Sequence, residues 1–242
     1  MAEIKNIRHL LIICFIVFVN PVVFFTLVAA QDVVSSEEKQ IIFEKLHGLT
    51  QNIITLTATV NQEKQLRLLK KPVYINGIIT LKKPNMFRWD VFKPDKSVIA
   101  SDGESMTVYH PDIKEAQVYD LVGNPTARHT MNFFVTIMGG AFDEIKKQFL
   151  VEILRNKDEI VLKLSPLSKM VGRYLSYIVI NYDETTGLPY EFEMNTPKGD
   201  KTVTSFSHIK INPEISTEFF KIRLSDDVKI TNLPERSHCI TE

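Results

Sequence analysis

The side chains able to do chemistry are present in ordinary numbers but in no chemical arrangement. The six histidines (His9, His47, His110, His129, His208, His238) are scattered, and none stands at metal-ligand spacing from Cys, Asp or Glu. The chain has no G-x-S-x-G elbow, Walker loop or G-x-G-x-x-G run. Asp102-Gly103-Glu104-Ser105 reads as a hairpin turn, and Glu37-Glu38 suits a helix N-terminus, where carboxylates meet orphan amides. The expectation is a protein that is not an enzyme and needs no metal or cofactor. The residues that could bind something are apolar. Phe87-Arg88-Trp89-Asp90-Val91 puts a Phe, the single Trp and a Val on one strand face and both charges on the other. Bulky side chains on such a face are ordinarily core. A wide sheet that curls can also make them the lining of a cavity.

Composition narrows the setting. An apolar share of 44% is that of a globular chain, and Lys+Arg 29 against Asp+Glu 29 gives a net charge of zero. That balance excludes a protein built to neutralise nucleic-acid phosphates. The basic cluster Lys64, Arg67, Lys70 and Lys71 lacks interleaved aromatics, so it reads as a solvated loop or an electrostatic dock. Lys5 and Arg8 precede an apolar run from Leu10 to Ala30 that ends Val28-Ala29-Ala30. This is the order of a secretory signal peptide cut after Ala30, the alternative being an uncleaved inner-membrane anchor. Cys14 lies inside that run as apolar filler, and Cys239 is an untied tail thiol, so no internal disulfide is expected.

The elements that would position the apolar residues follow from spacing. Ser35 as N-cap with Glu38 three residues on predicts a helix, with Ile42, Leu46 and Leu49 as its buried stripe. From Ile54 the period changes to two. Strands are predicted near 54–62, 72–82, 86–93, 96–101, 105–111, 115–121, 148–155, 158–165, 173–182, 188–196 and 201–212. The breaks between them, such as Lys93-Pro94-Asp95 and Thr186-Gly187, are short turns, which require an antiparallel meander. One interval is helical: Met131, Phe134 and Met138 recur at helical spacing with Phe133 and Ile137 beside them, and the pattern resumes over 141–145. This insertion must sit over one sheet face, as a cap on the concave side or as an ordinary core helix.

Lys82-Lys83-Pro84-Asn85-Met86-Phe87-Arg88-Trp89, then Lys93-Pro94-Asp95, Ser101-Asp102-Gly103-Glu104 and Val108-Tyr109-His110-Pro111 together resemble the outer-membrane lipoprotein carrier family LolA. That family runs basic-Arg-Pro-Asn-x-Phe-x-Trp, a Pro-Asp/Glu turn, Ser-Asp-Gly and an aromatic-x-Pro hairpin. Weaker similarity covers Leu56 through Gln62, Thr186 through Pro189 and Phe206 through Ile211. The resemblance implies a mostly β fold with some α: an incomplete, half-open antiparallel β-barrel of about eleven strands with an N-terminal helix and a helical lid. Residues 31–242 would form this single domain after the signal peptide 1–30. It implies a periplasmic carrier, most simply a monomer. The carrier would take acylated lipoproteins from an inner-membrane lipoprotein-releasing transporter to an outer-membrane receptor, with no nucleic acid involved. A related module for another lipid or glycolipid is the alternative, and an envelope enzyme acting on lipids ranks last for want of a nucleophile and base. Phe87, Trp89, Val91 and Tyr109 would line the cavity, and Met131, Phe133, Phe134, Ile137 and Met138 would form the lid. The family's lid-latching Arg is Lys83 here, which cannot make a bidentate planar contact.

Overall fold

A computed structural model describes residues 34–122, 142–156 and 159–233. The sequence after residue 53 is rich in Thr, Val and Ile, residues whose branched side chains fit a pleated surface. Among the described residues it forms twelve strands: β1 Thr55–Gln65, β2 Val73–Lys82, β3 Met86–Lys93, β4 Ser97–Ser101, β5 Ser105–His110, β6 Glu115–Asp120, β7 Phe149–Asn156, β8 Glu159–Pro166, β9 Tyr177–Asp183, β10 Pro189–Asn195, β11 Lys201–Ile211 and β12 Lys229–Leu233. All belong to one sheet, in the order β12-β6-β5-β4-β3-β2-β1-β11-β10-β9-β8-β7. β12 and β7 remain as edges, so the sheet is open. Every neighbouring pair is antiparallel except β12 with β6, where Lys229 lies opposite Glu115 and the strands run parallel. The mostly β, unclosed fold is as expected. The eleven predicted strands occur in order, and β12 is an addition.

Helix α1 spans Ser36–Thr50, and its first turn is capped as the sequence predicts, with Ser35 Oγ accepting from the Glu38 amide at 3.2 Å. Its buried stripe differs from expectation. Ile42 and Leu46 are inside, but Leu49 is 41% exposed and Phe43 takes its place. Helix α2, Phe142–Gln148, leads directly into β7. Phe43 of α1 meets Phe142 of α2 at 5.2 Å between ring centroids, with the Lys146 ammonium 4.2 Å over the Phe43 ring. Both helices press on one face of β7 to β10, where Ile153, Ile160, Leu162, Leu164, Ile178, Ile180 and Tyr182 are fully buried with them. We call this the inner face. A short helix α3, Lys169–Gly172, occupies the β8–β9 connection, so β9 begins at Tyr177 and not at 173. A second apolar cluster spans β1, β2 and β3, built from Leu56, Ala58, Val60, Ile79, Leu81 and Phe87 and joined by Ile53, Leu121 and Leu188.

Candidate functional site

Directly opposed residues in an antiparallel ladder share a face, so the register decides what lies beside what. Phe87 stands opposite Leu81 and Ser101, Trp89 opposite Ile79 and Ile99, and Val91 opposite Gly77 and Ser97. The same face continues through Val108 and Met106 on β5 and back through Leu56, Ala58, Val60 and Gln62 on β1. Val60 pairs with Phe206 and Gln62 with Thr204, and from there the row runs through Phe192 and Ile180 to the helix-covered face. Phe87, Trp89 and Val91 are therefore brought together on the inner face, as the alternation predicts.

Tyr109 is not with them. It pairs with Val98, which pairs with Asp90, so the register puts it on the outer face with Arg88 and Asp90. The expectation that Tyr109 lines the same surface is corrected. β5 carries apolar side chains at both Val108 and Tyr109, and local alternation cannot say which of the two points inward.

Polar atoms on the inner face are few, and two are left over. Trp89 Nε1 and Gln62 Oε1 are buried without a hydrogen-bond partner among the described residues, although Gln62 Nε2 donates to Thr204 Oγ1 at 2.8 Å. Burying such groups unpaired costs about 1–3 kcal/mol each, so natural interiors seldom leave them so. The indole lies over Gly77: a Cβ added there would stand 2.9 Å from Nε1 and 2.2 Å from the Asp90 carbonyl oxygen. Gly77 thus provides the room that lets Trp89 lie across β2. A glycine inside a strand is the sequence signal of such a close approach. Gln62 and Gly77 were not among the predicted site residues. Trp89, Ile99 and Met106 are only half-buried, unlike the residues under α1 and α2.

Lys83 occupies the β2–β3 turn. Its Nζ donates to the carbonyl of Thr50, the last residue of α1, at 3.2 Å. A cation there meets the negative end of the helix dipole, and burial holds the Lys83 pKa below its ordinary value. The described contact is with a helix terminus. The predicted lid residues Met131, Phe133, Phe134, Ile137 and Met138 lie outside the described residues, as do Cys14 and Cys239.

The outer face has its own cover. Arg88 forks onto Asp90 with bonds of 2.8–3.1 Å, donates to the Phe219 carbonyl at 2.9 Å and stacks 4.7 Å from that ring. Lys82 Nζ donates to the Ile215 carbonyl at 2.8 Å. These bonds hold the segment from Pro213 to Phe220 across β1 to β3. A groove of about 580 Å³ lies beneath it, lined by Thr57, Ile78, Phe92, Lys210, Glu214 and Phe219 among others. Among the described residues no three His, Cys, Asp or Glu side chains stand close enough to hold a metal ion.

Comparison with known proteins agrees with this geometry. Residues 51–223 match the family model described as outer membrane lipoprotein carrier protein LolA. The outer-membrane lipoprotein carrier protein of Coxiella burnetii is 23% identical over 189 residues, covering 77% of this chain and 84% of its own. That of Chromohalobacter salexigens is 23% identical over 187 residues, covering 77% and 85%. Among solved structures, an uncharacterized conserved protein from Thermus thermophilus superposes with a TM-score of 0.50 at 12% identity, over 81% of this chain and 99% of that one. This last likeness concerns the fold alone.

Proposed function

The chain belongs to the LolA family of outer-membrane lipoprotein carriers, and on that premise we propose that the inner face of β1 to β5 receives the acyl chains of lipoproteins on their way from the inner to the outer membrane. One observation carries the reading: an apolar face on which two buried polar atoms, Trp89 Nε1 and Gln62 Oε1, have no partner among the described residues. A molecule with acyl chains and ester or amide linkages offers both the apolar surface and the missing hydrogen bonds. Moving each methylene from bilayer to water costs about 0.8 kcal/mol, so a chain of ~16 carbons costs on the order of 13 kcal/mol. Transfer across an aqueous space therefore needs a carrier that shields the chain. Half-buried Trp89, Ile99 and Met106 supply such a surface, and Met adapts to cargo of varied shape.

The rest of the assignment follows the family. The chain would work in the periplasm with residues 1–30 removed, as one domain over 31–242, binding cargo without chemical turnover. It would load from an inner-membrane transporter and unload to an outer-membrane receptor. Met131, Phe133, Phe134, Ile137 and Met138 would cover the bound chains. A second reading, a lipid or glycolipid not attached to protein, is kept by Lys83, a lysine where the family has its latching arginine.

The test is Trp89→Glu, which puts a charge where an acyl chain would lie. Binding of a fluorescent fatty acyl probe should fall about 100-fold, because an unpaired charge is costly in an apolar site, while far-UV circular dichroism keeps its β signature. Undiminished binding would rule out this face as the site, and loss of the β signature would assign Trp89 to the core alone. Intact-mass spectrometry of material that co-purifies from the periplasm then separates acylated protein from lipid alone.

A further inference from the structure

The antiparallel connections of the sheet fall at two ends, and three neighbouring ones at one end stand out in character. At one end β1 meets β2 through 66–72, β10 meets β11 through 196–200, and β8 meets β9 through 167–176. These three connections are consecutive along the sheet order β2-β1-β11-β10-β9-β8. At about 4.8 Å between strands, they form a rim roughly 24 Å long. The first carries Arg67, Lys70 and Lys71, the second Lys198, and the third Lys169 and Arg173. None of these six cations forms an ion pair among the described residues, whereas Lys45, Lys163 and Lys201 elsewhere pair with Glu184, Glu152 and Glu193. Asp200 is the carboxylate of these connections, and its Oδ1 accepts from the Arg67 backbone amide. The remaining described turns are mixed in charge: 94–96 and 111–114 at the same end pair Asp95 with Lys96 and Asp112 with Lys114 in sequence. At the opposite end 102–104 and 184–188 carry Asp102, Glu104 and Glu184, while 83–85 carries Lys83.

The rim is also apolar where a solvated loop should not be. Leu68 is 94% exposed and Tyr174 76%, with Leu69, Leu167, Met170 and Val171 exposed beside them. Leucines and a tyrosine exposed at the strand ends, interleaved with cations unpaired among the described residues, match the chemistry of a bilayer surface. The apolar tips enter the acyl boundary while Lys and Arg stems reach lipid phosphates. A protein partner fits less well, since protein interfaces are depleted in lysine, and four of the six cations are Lys70, Lys71, Lys169 and Lys198. We propose that this rim docks the protein on membranes rich in anionic phospholipid. The proposal stands apart from the acyl-binding face.

The described residues between 34 and 233 hold both apolar clusters, so the span 31–242 is the protein to test, without the apolar run of residues 10–30. In vesicle flotation it should associate with phosphatidylglycerol–phosphatidylcholine vesicles and at least about tenfold less with phosphatidylcholine alone. The triple change R67Q/K70Q/K71Q should weaken the association about 100-fold, near fivefold per cation. Leu68→Ser with Leu69→Ser should weaken it about tenfold without removing the preference for anionic lipid. These side chains are exposed, so thermal melts should be unchanged and fatty acyl probe binding retained. Failure to associate with anionic vesicles, or association unchanged in either variant, overturns the proposal and leaves the rim to a protein contact.

Discussion

One sheet builds two different regions. Under α1 and α2, the inner face of β7 to β10 is packed to completion: Ile153, Leu162 and Ile180 expose nothing, and Phe142 meets Tyr182 edge-on at 6.0 Å. On β1 to β5 the same alternation yields Trp89, Ile99 and Met106 half-buried, with an indole N–H and an amide oxygen lacking partners among the described residues. The strands themselves are alike, and Leu56, Val60, Ile79, Leu81 and Phe87 of the second region are buried too, so the difference is confined to the surface around Trp89, Ile99 and Met106. Among the described residues the helices with buried faces pack on the first region. A surface closed by its own chain contributes stability. On the proposed function, the one with Trp89 Nε1, Gln62 Oε1 and a flexible Met accepts something else, a division in keeping with the high cost of incomplete burial.

This contrast can be broken most directly from the packed side. Leu162→Ala should destabilise by about 2–5 kcal/mol through the cavity it leaves, read as a lower denaturation midpoint, with fatty acyl probe affinity unchanged in the folded protein. Lost affinity in a protein that still folds would mean that the two regions do not divide the work. A smaller effect sharpens the other side. Trp89→Phe keeps an aromatic ring and removes the unpaired donor, so stability should hold or rise slightly, while affinity for an ester-bearing lipid falls about fivefold, as expected for one hydrogen bond of about 1 kcal/mol. A probe without an ester should bind as before, and calorimetry with the two ligands measures the difference.

The smallest expected effect is a pH dependence on the packed side. The β9–β10 turn is held by Asp183, whose carboxylate accepts from the Thr186 and Thr185 amides at 2.7 and 3.0 Å. The Thr186 amide above all holds its pKa below the ordinary 3.8. A carboxyl lowered in the folded state adds stability above its unfolded value and loses it as pH falls through the folded one. The melting difference between the natural protein and Asp183→Asn should therefore shrink as pH falls from about 6 to about 3. A difference that stays constant would show that the turn is held by other bonds.

Much of this architecture was legible locally. Thr186-Gly187 and Lys198-Gly199-Asp200 mark turns because their glycines adopt positive φ, +69° and +86°. Ser35 announces a helix because its hydroxyl meets an amide three residues on. β12 was not legible. Lys229-Ile230-Thr231-Asn232-Leu233 is short and lacks a buried face of its own, and it is ordered by a parallel partner far back in the chain. α3 was hidden for a similar reason: it has no buried residue, so no periodic apolar stripe announces it.

The sequence by itself determined where most of the strands run and turn, that helix α1 starts at Ser36, and that Phe87, Trp89 and Val91 share a face. Each of these depends on residues within a few positions of one another. Tertiary pairing alone decided that Tyr109 faces away from Trp89, that Gly77 makes space for the indole, and that three cation-bearing turns line one end of the sheet. Those facts depend on hydrogen-bond register between strands distant in the chain, and a shift of one residue in that register would reverse every face it sets.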